Sequence, residues 1–385
     1  MAANMVSLLA LIIAFQLFFM CFFLLARSRD QGNQVRHSYL GVLFLLLGIN
    51  MVDLFMQQQA FPWFPRQLSL LDDTFLLLYG PLLLLYVTSV VSKSFTPGIK
   101  EMLYFLPFAL VFLLLVTTII ATWQVQPPIT PEPEAPPDGW LVLVIFLFYA
   151  YSAFFLWRTK KLLWSFDKAA LEYYSNLEEA NLKWLHFMVN SFAVLCLLGV
   201  LQLFIQVSGS LPLLMSLGLI LVLVLFILIY RSIYVALKGS NVLLGLHSPR
   251  VDKYAGFALP VEKRLILAEK LQIFMEKEQA YMNPVLTINE VAGRLQVSSK
   301  ELSQVINQDF GQHFFDFVNS YRIDAAKELL QDPENKMTIQ EIMYTVGFSS
   351  KSSFNTVFKK KTSQTPSTYR TVMQSGTNPK KGSPS

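Results

Sequence analysis

The sequence predicts an all-α protein in two parts: a seven-helix transmembrane bundle, then a cytoplasmic module of two helix-turn-helix units. Three observations carry this expectation. Long apolar runs fill the first 235 residues, the charge imbalance lies in the remainder, and one short motif occurs twice near the C-terminus. Of the 385 residues, 54% are hydrophobic and 15% charged, whereas a soluble domain carries about a quarter charged residues. Residues 1–235 hold 12 Lys/Arg and 12 Asp/Glu and residues 236–385 hold 19 and 14, so the net charge of +5 belongs to the C-terminal part. Two regions with different solvents follow.

The apolar runs come first. Crossing a hydrocarbon core of roughly 30 Å takes about 20 residues of helix. Seven runs qualify: 5–26, 39–57, 73–92, 102–123, 140–157, 184–207 and 212–235. The first lacks a basic N-terminal region and a small-residue cleavage site, so it reads as an uncleaved span rather than a signal peptide. Lys and Arg fix the direction. Loops one, three and five hold Arg27, Arg29, Arg36, Lys93, Lys100, Arg158, Lys160, Lys161, Lys168 and Lys183; the alternate loops hold only Arg66. Basic loops face the cytoplasm, so the N-terminus is expected outside and the C-terminal module inside a bacterial inner membrane. Loop four, QPPITPEPEAPPDG, reads as an extended solvated segment.

Polar residues inside apolar runs are costly and mark candidate sites. Asn50 and Asp53 lie one turn apart on the second run, and Asn190, Gln202 and Gln206 lie on the sixth. Asn50, Asp53, Asn190 and Gln202 form the candidate ligand site in the membrane; the alternative is that they cross-link helices by hydrogen bonds. Tyr79, Gly80, Pro81 and Tyr86 are expected to kink and line the third span. The two cysteines, Cys21 and Cys196, sit in apolar runs and the four histidines are scattered. That excludes a disulfide framework and gives no metal-ligand spacing. With no nucleophile–base set and no phosphate-cradling Gly-rich loop, neither catalytic residues nor a cofactor are expected, and the chain is not read as an enzyme.

Residues 236–282 are the connector. Gly, Ser and Pro punctuate 236–259 as a linker, and Pro260 at its favoured first position opens a helix from Val261 to about Tyr281. Val261, Leu265, Ala268 and Met275 form one apolar face and Leu267, Leu271 and Phe274 another; one packs on the following domain, and the other is open to a second copy or, in the alternative, to core packing alone.

The repeat lies in residues 283–374. TINEVAGRLQVSSKELSQVI (287–306) and TIQEIMYTVGFSSKSSFNTVF (338–358) match at an offset of 51 through Ser-Ser-Lys, then at 52. Each reads as capped helix, turn, capped helix. Thr287 with Glu290, and Thr338 with Glu341, have capping-box spacing. Gly347 supplies a positive φ, and Ser298 and Ser349 stand as caps of the second helices. A long amphipathic helix, about His313 to Gln331, separates the units.

With FGQHFFDFVNSYRIDAAKELL (310–330), VGFSSKSSFNTVFKK and TPSTYR, residues 260–374 resemble the AraC/XylS family of bacterial transcription regulators; the spans do not share the resemblance. It implies an all-helical module whose two reader helices enter successive major grooves of double-stranded DNA. Gln296, Met343 and Ser363 depart from the family pattern, at the first turn, in the second unit and before the TP motif; at Gln296 turn strain is about 1 kcal/mol. Helical periodicity independently turns Leu302, Val305, Ile306, Phe354, Val357 and Phe358 inward. It turns Lys300, Gln304, Asn307, Lys351, Asn355 and Lys359 outward, where they suit base edges. Arg322, Lys360, Lys361 and Arg370 are phosphate candidates, with Arg322 and Arg370 equally readable as internal ties. Residues 375–385 read as a disordered tail.

The combination points to a membrane-bound one-component transcriptional regulator, its DNA-binding domain controlled by a small-molecule or membrane signal sensed by the spans. DNA and the lipid bilayer are the expected partners, with a homodimer and RNA polymerase as further candidates. The alternatives are a transporter or membrane enzyme with an accessory head, and a regulator released by proteolysis in the linker.

Overall fold

The computed structural model describes residues 2–28, 34–59, 69–92, 95–122, 139–176, 183–208, 210–237 and 259–376. Among these the secondary structure is helical, with no strand and one isolated bridge, Tyr174 to Thr287. Nearly all of the expected linker, of loop four and of the tail lies outside the described residues. The chain divides into two units, one of residues 1–164 and 182–248 and one of residues 165–181 and 249–385. Residues 165–181, part of loop five in the sequence, therefore group with the C-terminal module.

The first unit holds α1 (Ala2–Ser28), α2 (Gln34–Gln59), α3 (Ser69–Asp73), α4 (Leu76–Val91), α5 (Ile99–Met102), α6 (Leu106–Thr122), most of α7 (Gly139–Tyr173), α8 (Lys183–Ser208) and α9 (Leu211–Leu237). Six segments among the described residues, not the expected seven, are long and apolar enough to cross a membrane: Val6–Ala26, Ser38–Gln57, Ser69–Val91, Ile99–Ala121, Gly139–Tyr173 and Trp184–Ser208. The seventh expected span lies on α9, whose described apolar stretch is the shorter Ser216–Ser232. Outward-facing Phe15 and Phe22 are 72% and 71% exposed, a surface that suits hydrocarbon rather than water.

Packing within this unit depends on small residues. A Cβ at Gly80 would lie 2.9 Å from Phe155 Cβ and 3.1 Å from Ser152 Cα, so α4 and α7 approach at that point because no side chain intervenes. Pro81 lies inside α4 and withdraws one backbone donor from the helix. Ser152 Oγ donates to the Leu76 carbonyl beside it.

The second unit contains the end of α7, then α10 (Val261–Lys277), α11 (Ile288–Arg294), α12 (Ser299–Asp309), α13 (Phe314–Gln331), α14 (Ile339–Thr345), α15 (Lys351–Thr362) and α16 (Pro366–Gly376). The connector helix is shorter than its pattern suggests. It stops at Lys277, Gln279 turns into the left-handed region at φ 48°, and a 3-10 turn covers Ala280–Met282. Pro260 is its N-cap residue rather than its first helical residue. Leu267, Leu271, Phe274 and Met275 are buried, while Val261 and Leu265 stay exposed.

α13 is the spine of the module. Its N-terminal half joins a core with Leu271, Met275, Val291, Leu302 and Ile306, through Phe314, Phe317 and Val318. Its C-terminal half joins a second core with Ile342, Val346, Phe354 and Phe358, through Ile323, Ala326 and Leu330. One continuous helix thus fixes two small cores, and each core carries one helix-turn-helix unit. Met343, 2% exposed, is accommodated in the second core.

Candidate nucleic-acid interface

Local capping sets the start of each helix in the two units. Thr287 accepts the Glu290 N–H at 3.3 Å, but the Glu290 carboxylate lies toward Asn283 Nδ2, so the expected reciprocal box is half made. Thr338 and Glu341 complete theirs. Ser298 caps α12 and forms a full box with Glu301. These bonds hold the Glu301 carboxyl below its usual range, the backbone N–H of Ser298 contributing most. In the second unit Ser350, not the expected Ser349, caps α15, accepting the Ser353 N–H at 3.2 Å. The extra residue after this turn shifts the cap by one. Gly347 has φ 92°, and a Cβ there would meet the Tyr281 carbonyl oxygen at 2.6 Å. Gln296 and Ser363 adopt φ 56° and 61°, so both hold conformations that glycine takes more cheaply.

The second helices of the two units, α12 and α15, differ in accessibility. On α15, Phe354 and Phe358 are fully buried and Val357 nearly so. Lys351 and Lys359 are exposed and Asn355 half-buried. Lys351 and Asn355 line a cleft with Thr338, Gln340 and Ser367. On α12, Leu302, Val305 and Ile306 are buried as the periodicity requires. Its polar face, however, is covered. Gln304 is 8% exposed, accepts the Leu259 N–H at 3.3 Å and donates to Gln308. Asn307 donates to Glu172 at 3.1 Å, and Lys300 is half-buried.

The phosphate candidates also separate. Lys359, Lys360 and Lys361 are exposed; Lys360 Nζ lies 3.1 Å from Asp316 Oδ1. Arg322 is 1% exposed, and its expected phosphate contact gives way to an internal tie. Its Nε donates to the Tyr281 carbonyl, Nη1 to Ser175 O and Asn319 Oδ1, and Nη2 to Ser175 Oγ and Asn283 O. A buried guanidinium needs this complete set of acceptors. Arg370 is half-buried, with Nη2 on the Met337 carbonyl at 2.7 Å.

In the first unit, Asn50 and Asp53 are brought into one polar cluster. Asn50 Nδ2 donates to Asp72 and Tyr79 OH donates to Asn50 Oδ1. Asp53 accepts from Gln57 and, at 3.0 Å, from Ser69 Oγ. Asn190 and Gln202 lie elsewhere, on α8, exposed and half-buried respectively. Sequence reasoning missed Asp72, Ser69 and Gln57. The adjacent carboxylates Asp72-Asp73 at the outer edge of the third run were the available signal.

A family model described as a helix-turn-helix domain matches residues 291–371, which are thereby identified as a domain of AraC type. This is about a fifth of the chain. The HTH-type transcriptional regulator GlxA of Rhizobium meliloti is 32% identical over 96 residues, covering 25% of this chain and 29% of the relative. The uncharacterized HTH-type transcriptional regulator YtdP of Bacillus subtilis is 33% identical over 85 residues, covering 22% of this chain and 11% of the relative. The chain thus matches less than a third of the length of either. Among solved structures, the C-terminal domain of the two-component response regulator YesN from Fusobacterium nucleatum is 31% identical, with 27% of this chain and 98% of that one covered at a TM-score of 0.25.

Proposed function

We propose that the chain is a membrane-tethered transcriptional regulator. Its helix-turn-helix module binds double-stranded DNA through α12 and α15, under control of a signal received by the apolar helices. The observation that carries this reading is the doubled unit. Two helix-turn-helix pairs at matched register sit on one spine, α13, and the Lys351, Asn355 and Lys359 face of α15 is turned away from the core. The relatives matched over this segment are named as transcriptional regulators, which supports the same role.

Membrane attachment is supported by six apolar helices of spanning length, and α9 is assigned as the seventh span. Loops one, three and five carry nearly all the basic residues between the runs, which orients the module toward the cytoplasm. The Asn50–Asp53 cluster is the proposed signal site in the membrane part. Asn190 and Gln202, apart from it on α8, are not carried into that site. Immunoprecipitation of the intact, crosslinked chain from cells tests the reading. Discrete promoter fragments are expected, and Lys351→Ala is expected to erase their enrichment while leaving the protein in the membrane fraction. Recovery of no DNA, or of DNA without preference for any locus, overturns it.

A further inference from the structure

The polar face of α12 is covered by a segment from far away in the sequence. Glu172 stands one residue before the end of α7. Its Oε2 accepts hydrogen bonds from Ser303 Oγ and Asn307 Nδ2, both at 3.1 Å, and its Oε1 contacts His313 Nδ1. Asn307 Nδ2 also reaches Ser303 Oγ at 3.3 Å. Three hydrogen-bonding side chains therefore converge on one anion. Asn307 and His313 also line a cleft with Asp316, Lys360 and Lys361, and Asp316 is paired with Lys360. The cradle thus opens toward lysines of the second reader.

The covering segment is anchored on both helix-turn-helix units. Ser175 bonds the Leu286 carbonyl through N at 3.2 Å and Oγ at 2.7 Å. Ser175 also supplies two of the acceptors of Arg322. Tyr173 OH accepts from Asn289 in the first unit, and Asn176 Nδ2 donates to Ser349 Oγ, 2.6 Å away in the turn of the second.

We infer that Ser303, Asn307 and His313 form a backbone-phosphate site for duplex DNA, kept occupied by the Glu172 carboxylate. The inference rests on the DNA-binding role proposed above. A carboxylate and a phosphodiester present the same chemistry to these donors, an anionic oxygen accepting hydrogen bonds, so only one of them is held at a time. Glu172 also places a negative charge where the first reader meets a polyanion.

The test uses the full chain in nanodiscs of zwitterionic lipid, with a random-sequence 30-base-pair duplex as probe, read by fluorescence anisotropy across a salt series. Glu172→Ala and Glu172→Gln are expected to bind roughly tenfold tighter than the parent across the salt series, because an anionic acceptor no longer competes for the donors. Adding Asn307→Ala and His313→Ala to Glu172→Ala is expected to abolish the gain. The inference is overturned if both Glu172 variants match the parent in affinity at every salt concentration, or if the gain survives loss of the cradle. In either case a parent that binds, and is weakened by Lys361→Ala, leaves the DNA-binding role standing. If neither parent nor variants bind duplex at any salt, that role fails and the inference fails with it.

Discussion

At the scale of single residues, Arg322 shows how far a charged side chain can depart from the role its charge suggests. It sits in a basic C-terminal half, yet its donors are spent on carbonyls of Tyr281, Ser175 and Asn283, on Ser175 Oγ and on Asn319. Arg322→Met removes the donors and leaves those acceptors unpaired, at a cost of about 3 kcal/mol or more. The expected result is a clear fall in the thermal midpoint of the module, with no change in the salt slope of any DNA binding by the residual fold. Gln296 and Ser363 make the opposite case. Replacing either by Gly relieves a left-handed backbone, offset by greater freedom in the unfolded chain, for a net gain of up to about 1 kcal/mol, read as a raised midpoint. Glu301 supplies a pH dependence. Its folded pKa lies below the ordinary value of 4.5, so its contribution is present above that value. It is lost as pH falls through the lowered pKa. Glu301→Gln should therefore lose stability relative to the parent at neutral pH, and the difference should close at acid pH.

At the scale of elements, much was legible and the exceptions have causes. The inward sets on α12 and α15 follow from helical periodicity and are buried. The caps at Thr287, Thr338 and Ser298 follow from the short side-chain acceptors that helix starts require. The shift from Ser349 to Ser350 was not legible, because two serines stand together and only the turn decides which reaches the N–H of Ser353. Nor was the covering of Gln304. Periodicity says which side of a helix faces its own core, and nothing about a distant segment resting on the other side. The two readers should consequently behave differently. Lys351→Ala and Asn355→Ala on the open α15 are expected to cost about 1–3 kcal/mol at particular bases. Lys360→Ala should weaken binding to all sequences alike and flatten the salt slope by about one. Binding to a set of single-base duplex variants separates the two patterns; equal losses on every duplex for all three variants would remove base reading from α15.

At the scale of the whole molecule, the division into a lipid-suited part and a charged part was written in composition, since a long apolar run has few other stable environments. The proposed orientation adds a prediction. A cysteine-reactive, membrane-impermeant label directed to a Cys placed at Ser367, on exposed α16, should react only after cells are permeabilised; reaction in intact cells would put the module on the wrong side for DNA. The sequence by itself determined that the protein is helical, that its first part is apolar at spanning length, and that its last part repeats a helix-turn-helix unit. These properties depend on local spacing and on residue chemistry. Only the tertiary structure decided that Arg322 is internal, that Asn50 meets Asp72 and Asp53 meets Ser69, and that Glu172 lies on Ser303, Asn307 and His313. Those contacts reach across the chain, from 16 positions between Asp53 and Ser69 to 147 between Ser175 and Arg322. Which distant groups meet is set by packing, and no periodicity in the chain records it.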